Sequence, residues 1–138
     1  MRPPKEPLLD RFLRYVKIDT RSDENSSSCP STAKQWDLLR LLHEELLALG
    51  LKDATIDENG YVFATVPSNL PPEQTTKVPI VGFIAHVDTA PSITGTHVKP
   101  IVHKNYQGGN IALPGDATQI IRTTEYPNLE KMYRGMDI

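Results

Sequence analysis

A chain of 138 residues is about one domain long and can bury a core of its own if its elements close on one another. A formal net charge of −2, with Lys and Arg scattered along the sequence, supplies no broad positive field for nucleic acid or an anionic membrane surface. Cys29 is the single cysteine, so an internal disulfide is excluded and nothing points to an oxidising compartment.

Met1 to Pro7 is short, proline-rich and charged, without the apolar core of a secretory signal. The leucine-rich segment further on is interrupted by Arg40, His43, Glu44 and Glu45 and is too polar to span a bilayer. A soluble, cytoplasmic protein is expected. From about Pro7 to Lys17, Leu8, Leu9, Phe12, Leu13 and Val16 recur at helical spacing, which predicts a short amphipathic helix covering one face of a sheet. Arg21 to Ser31 is polar and serine-rich and reads as a surface connection. Cys29 lies in it with no adjacent base to activate a nucleophile, so it reads as an incidental thiol.

Thr32-Ala33-Lys34-Gln35 has the form of a capping box, with Ser31 as the alternative cap. A helix to about Leu49 is predicted to bury Trp36, Leu39, Leu42, Leu46 and Leu49 and to stop at Gly50. Its leucine stripe lasts too few heptads for a zipper and reads as core. His43 on that helix has no second histidine four residues away, so it reads as a boundary side chain and not a ligand. Thr55-Ile56 and Tyr61 to Val66 read as two strands joined through Asp57-Glu58-Asn59-Gly60, where Asn59-Gly60 is a hairpin signal. Pro67 to Lys77 reads as a loop.

The run Val78-Pro79-Ile80-Val81-Gly82-Phe83-Ile84-Ala85-His86-Val87-Asp88-Thr89 is almost wholly apolar until it ends in a histidine and an aspartate two residues apart. Such a run fits a central strand covered on both faces, presenting chemistry at its carboxyl end. Residues i and i+2 on an extended backbone point the same way, so His86 and Asp88 are predicted to converge. Imidazole binds a metal through one ring nitrogen while a carboxylate on the other fixes its tautomer. The plainer reading of a lone His-x-Asp is a strand-end histidine hydrogen-bonded for structure alone, since a zinc site takes three or four protein ligands.

Thr89 to Gly95 is expected to be irregular because Pro91 and Gly95 break regular structure. Val98 to Val102 reads as a short strand flanked by His97 and His103, neither in a ligand pattern. Gly108-Gly109 lacks the Lys-Ser/Thr pair of a phosphate loop, and a tight turn or close backbone packing explains it better. Thr118 to Arg122 reads as a strand, and Asn128 to Tyr133 as a helical turn after Pro127. No internal repeat or low-complexity segment stands out.

Taken together, Leu9 to Thr20, Pro30 to Trp36, Gly82 to Pro91 and Asn105 to Leu113 resemble the di-zinc exopeptidase family. His86-Val87-Asp88-Thr89 after an apolar strand is shared across that family, while Tyr106-Gln107-Gly108-Gly109-Asn110-Ile111-Ala112-Leu113 resembles its tripeptide aminopeptidase branch. The resemblance implies an α/β fold, a mixed central sheet flanked by helices, with residues 1–138 forming the amino-terminal part of a catalytic domain. It implies that His86 is a zinc ligand, that Asp88 is the catalytic-site residue orienting it, that two zinc ions are the cofactors and that a small peptide is the substrate. No nucleic-acid or membrane partner is implied, and a homodimer is expected of the complete protein. The family's bridging aspartate, general-base glutamate, remaining ligands and lid domain have no counterpart in these 138 residues, so the chain alone is expected to be inactive. A related di-zinc deacylase or dipeptidase, and a non-catalytic binding module, are the alternative readings.

Overall fold

The computed structural model describes residues 6–75 and 77–138, which fall into two compact units, Met1–Lys99 and Pro100–Ile138. The first five residues of the Met1 to Pro7 segment, and Thr76 of the Pro67 to Lys77 loop, lie outside the described residues. The first unit carries α1 (Leu8–Tyr15), α2 (Gln35–Ala48), β1 (Thr55–Ile56), β2 (Val62–Phe63) and a one-turn α3 (Pro72–Thr75). The second carries β3 (Ile111–Leu113), β4 (Asp116–Ile121) and α4 (Asn128–Met132).

The small core of the first unit lies where α2 packs on the β1–β2 hairpin. Leu38, Leu39, Leu51 and Ala54 are buried there; of the predicted stripe only Leu39 is among them. Leu42, Leu46 and Leu49 are only partly covered and Trp36 is half-buried, with the Arg40 guanidinium 5.4 Å from its ring centroid. Gly50 ends α2 in a left-handed conformation at φ 90. The Leu51 amide donates to Leu46 O at 3.1 Å and the Gly50 amide to Leu47 O at 2.9 Å, the paired bonds of a Schellman cap. His43 is a boundary residue, its Nε2 lying 3.1 Å from Ala54 O.

The capping box does not form. No side chain caps α2; the Thr32 hydroxyl donates to Arg21 O at 2.8 Å instead. Gln35 is buried and turns its amide to Ser31 Oγ at 3.1 Å. The serine-rich loop competes for both box members and wins, since side-chain bonds of Thr32 to Arg21 and of Gln35 to Ser31 take the groups that the box would use.

The hairpin turns where Asn59-Gly60 predicts, with Thr55 opposite Phe63 and Ile56 opposite Val62. Asp57 Oδ1 accepts the amides of Asn59 at 3.0 Å and Tyr61 at 2.8 Å, which closes the turn as an Asx motif. Gly60 sits at φ 81, and a Cβ there would meet Pro30 Cγ at 2.7 Å and Leu39 Cδ1 at 2.9 Å.

The expected mixed central sheet is absent among the described residues. Two separate two-stranded antiparallel sheets stand in its place, β1–β2 and β3–β4. The run from Val78 to Asp88 is not a strand, makes no backbone–backbone hydrogen bond among the described residues, and leaves Ile80 100% and Phe83 96% exposed. A strand is defined by its neighbours, and no other segment of the described unit is placed to pair along its length. The amphipathic α1 is affected in the same way: with no sheet to cover, it buries none of its residues, and Leu8 and Phe12 face outward. It is held by charge instead. Arg14 bonds Glu6 at 2.6 Å, and both Arg14 and the Tyr15 hydroxyl reach Glu45 on α2. Partial burial, and next the bond to Glu45, push the Tyr15 hydroxyl up to about 12.

In the second unit, β3 and β4 pair with Ile111 opposite Ile121 and a bulge after Ala112. β4 fulfils the strand expected at Thr118 to Arg122, and α4 the helical turn after Pro127. The strand expected over Val98 to Val102 does not form. Residues 103–106 instead exchange bonds with 135–138, His103 and Ile138 reciprocally at 2.7 and 3.0 Å. Gly108, at φ 96, approaches Glu130 so closely that a Cβ would lie 2.8 Å from Oε2, and the Gly109 amide donates to Glu130 Oε1 at 2.7 Å. The glycine pair therefore serves both a turn and a close approach. The Tyr106 hydroxyl donates to Gly109 O, and burial, followed by the Glu130 charge, raises its pKa.

Gly60→Ala is expected to destabilise the first unit by about 1–3 kcal/mol, since it adds strain at positive φ to a collision with two packed side chains. Urea denaturation followed by Trp36 fluorescence measures it; an unchanged midpoint would show that Pro30 and Leu39 give way freely.

Candidate metal-ligating pair

The segment that ends the apolar run is fixed from one side. The Thr89 amide donates to Thr20 O at 3.2 Å, and Thr89 O accepts from the Ser22 amide at 3.0 Å and the Ser22 hydroxyl at 2.9 Å. These bonds make a single parallel bridge between Arg21 and Thr89. Thr20 is almost wholly buried, so the clamp is anchored in the body of the unit.

Just ahead of the clamp, His86 Nδ1 lies 3.2 Å from Asp88 Oδ1. The i, i+2 convergence expected from the sequence is present. A carboxylate oxygen at that distance selects the tautomer with hydrogen on Nδ1 and leaves Nε2 as the electron-pair donor. Both side chains reach solvent. They also line a groove of about 560 Å³ whose walls include Tyr15, Leu39, Leu42 and Leu46 of α2, Leu49 just after it, Tyr61 to Phe63, and Phe83 and Ile84 of the apolar run. Mostly apolar walls with a few convergent polar groups are the usual make-up of a small-molecule site.

The donor set fits one ligand position and its orienting partner, and no more. Among the described residues no group of three His, Cys, Asp or Glu is placed to hold a metal ion. His97 stands in a left-handed conformation at φ 58, and His103 is engaged through its backbone with Ile138. Cys29 is exposed and directs its thiol to Asn59 O at 3.4 Å, as expected of an incidental thiol.

Sequence reading missed Asp19. Its Oδ2 accepts from Lys34 Nζ at 2.7 Å and from the Thr96 hydroxyl at 3.0 Å, and its Oδ1 accepts the Arg21 amide at 3.1 Å. Gly95 passes so close that a Cβ would lie 2.8 Å from Oδ1. One carboxylate thus ties the start of α2 and the loop after Asp88 to the strand that clamps Thr89. The available signal was the Asp-x-Arg spacing of an Asx turn; the long-range partners have none.

Over 131 residues, 95% of this chain, the sequence is 49% identical to "Peptidase T" of Bacillus pumilus (strain SAFR-032) and 49% identical to "Peptidase T" of Geobacillus thermodenitrificans (strain NG80-2). Over 123 residues it is 50% identical to "Peptidase T" of Alkaliphilus oremlandii (strain OhILAs). This chain resembles peptidase T. It spans about a third of these relatives, 31% of the first two and 30% of the third. No family model matches the chain. A likeness to peptidase T over 131 of 138 residues necessarily takes in His86, Asp88 and the Thr20–Thr89 clamp.

The bond from Lys34, then that from the Arg21 amide, holds the Asp19 carboxyl down from 3.8 to about 2. The folded value lies below the unfolded one, so the stabilisation is complete above about pH 4 and is lost as pH falls through about 2. The Arg21 amide, bonded to this carboxylate, should titrate in NMR spectra with a midpoint near 2, and Asp19→Asn should abolish that titration. A midpoint near 4 would mean that the Asp19 knot does not hold in solution.

Proposed function

We propose that this chain supplies one zinc ligand, His86, and its orienting carboxylate, Asp88, to a di-zinc aminopeptidase that removes the amino-terminal residue of tripeptides. The observation that carries the reading is the 3.2 Å approach of His86 Nδ1 to Asp88 Oδ1, at the end of an apolar run within a chain similar to peptidase T. When bound, the zinc pair supplies a water of lowered pKa and stabilises oxygen charge in the transition state.

The chain's own residues do the positioning. Asp88 holds the Nδ1 hydrogen, so Nε2 stays free to ligate and the imidazole keeps one orientation. The Thr20 to Ser22 clamp sets where that ring stands along the groove. The apolar groove walls offer contact surface to a small peptide and leave the polar pair as its recognition end. In the full-length enzyme this α/β segment belongs to a catalytic domain in the cytoplasm, and the complete protein is a homodimer. No helix among the described residues is long and apolar enough to cross a membrane.

One imidazole and its orienting carboxylate do not hold zinc against water, so the 138-residue chain should release no amino-terminal residue from a tripeptide. In a full-length polypeptide bearing this segment, His86→Ala should reduce turnover to background while the fold persists. Asp88→Asn should retain measurable zinc and lose about 10–100-fold in activity, since an amide accepts the imidazole hydrogen without the charge that raises its basicity. Tripeptide cleavage assays with metal analysis and circular dichroism separate these outcomes. Full turnover in either variant would remove the pair from the site.

A further inference from the structure

The clamp on Thr89 is itself held from behind. Thr20 O and the Ser22 N–H hold Thr89, so on an extended stretch the N–H and C=O of Arg21, between them, address the other edge. Side chains take both groups there. Asp19 Oδ1 accepts the Arg21 amide at 3.1 Å, and Arg21 O accepts the Thr32 hydroxyl at 2.8 Å.

The chain beyond Thr89 returns to the same place. The Thr96 hydroxyl donates to Asp19 Oδ2 at 3.0 Å and accepts from the Thr94 hydroxyl at 3.0 Å. Residues 89–96 follow directly on the His86–Asp88 pair, and both ends of this loop are thus fixed to the stretch 19–22. Asp19 joins the two ends: one oxygen serves the clamp and the other serves the returning loop. Gly95 lets the loop close on the carboxylate, since a Cβ there would lie 2.8 Å from Oδ1.

We propose that Asp19 is a positioning residue for the His86–Asp88 pair, acting through the Thr89 clamp and the 89–96 loop; its bearing on catalysis rests on the reading of His86 as a zinc ligand. Asp19 bonds to neither side chain of the pair. It sets the direction in which the extended stretch 86–88 meets Thr89, and so keeps Asp88 Oδ1 at the 3.2 Å from His86 Nδ1 that selects the tautomer. The role needs a carboxylate. Lys34 and Thr96 both donate to Oδ2 while the Arg21 amide donates to Oδ1, and an asparagine would replace one of these acceptor oxygens by a donor.

The first test reads the His86 ring nitrogens by NMR in the 138-residue chain without metal, at a pH of about 9 where imidazole is neutral. The Nδ1–H tautomer should predominate. Asp19→Asn should shift the ring towards the Nε2–H form that an unconstrained histidine prefers, and Thr96→Val should shift it part of the way. Thr96→Ser, which restores the hydroxyl, should match the wild-type chain. Asp53→Asn is the control for a purely structural role: Asp53 also ties a loop, accepting the Thr65 amide at 3.0 Å, but shares no partner with the clamp, so the tautomer should stay. In a full-length polypeptide bearing this segment, Asp19→Asn should lower kcat about tenfold with KM unchanged, the smaller end of the effect of groups that orient a ligand. Full activity in His86→Ala would overturn the zinc reading alone, because the tautomer is read without metal. An unshifted tautomer in Asp19→Asn, an equal shift in Asp53→Asn, a Thr96→Ser chain that behaves as Thr96→Val, or a kcat untouched by Asp19→Asn where His86→Ala abolishes turnover would each overturn the positioning role.

Discussion

The parallel bridge between Arg21 and Thr89 is the constraint on which the chemistry of this chain depends. The eleven residues before Thr89 have no backbone partner among the described residues, so without the bridge His86 and Asp88 would sit on a tether with no fixed relation to the groove. With it, one residue is fixed by both its donor and its acceptor, and the pair stands one to three residues away. The bridge in turn rests on Thr20, buried almost completely, and on Asp19, whose carboxylate gathers Lys34, Thr96 and the Arg21 amide. A surface ion pair alone contributes little. Here the carboxylate also satisfies a backbone donor and a hydroxyl, and it is the sharing of one group among three segments that fixes the geometry.

The apolar side chains left in solvent follow from the same topology. Val78 to Val87 and the outer face of α1 are patterned for burial, yet burial needs a second surface, and the described units contain no sheet wide enough to supply it. Exposed apolar area on this scale is uncommon on monomeric proteins and marks contact surfaces. Charge does the work that packing would otherwise do: Glu45 alone collects Arg14 and the Tyr15 hydroxyl to hold α1 against α2. Such a network is sensitive to salt in a way that an apolar interface is not.

What could be read from the sequence was local. The α2 helix, its stop at Gly50, the turn at Asn59-Gly60, the hairpin strand near Thr118 and the turn after Pro127 are set by neighbours within a few residues, and they stand where the sequence places them; of the predicted stripe only Leu39 is fully buried, because burial also depends on distant surfaces. The convergence of His86 and Asp88 was legible for the same reason, since i and i+2 on an extended stretch need no tertiary information. The central strand was not legible. An apolar run states that a segment suits burial but not whether a partner exists to bury it. The capping box failed on a similar point: Thr32 and Gln35 found partners in the loop at Arg21 and Ser31, a competition that the spacing of four residues does not contain. Asp19 was missed because its partners lie up to 77 residues away.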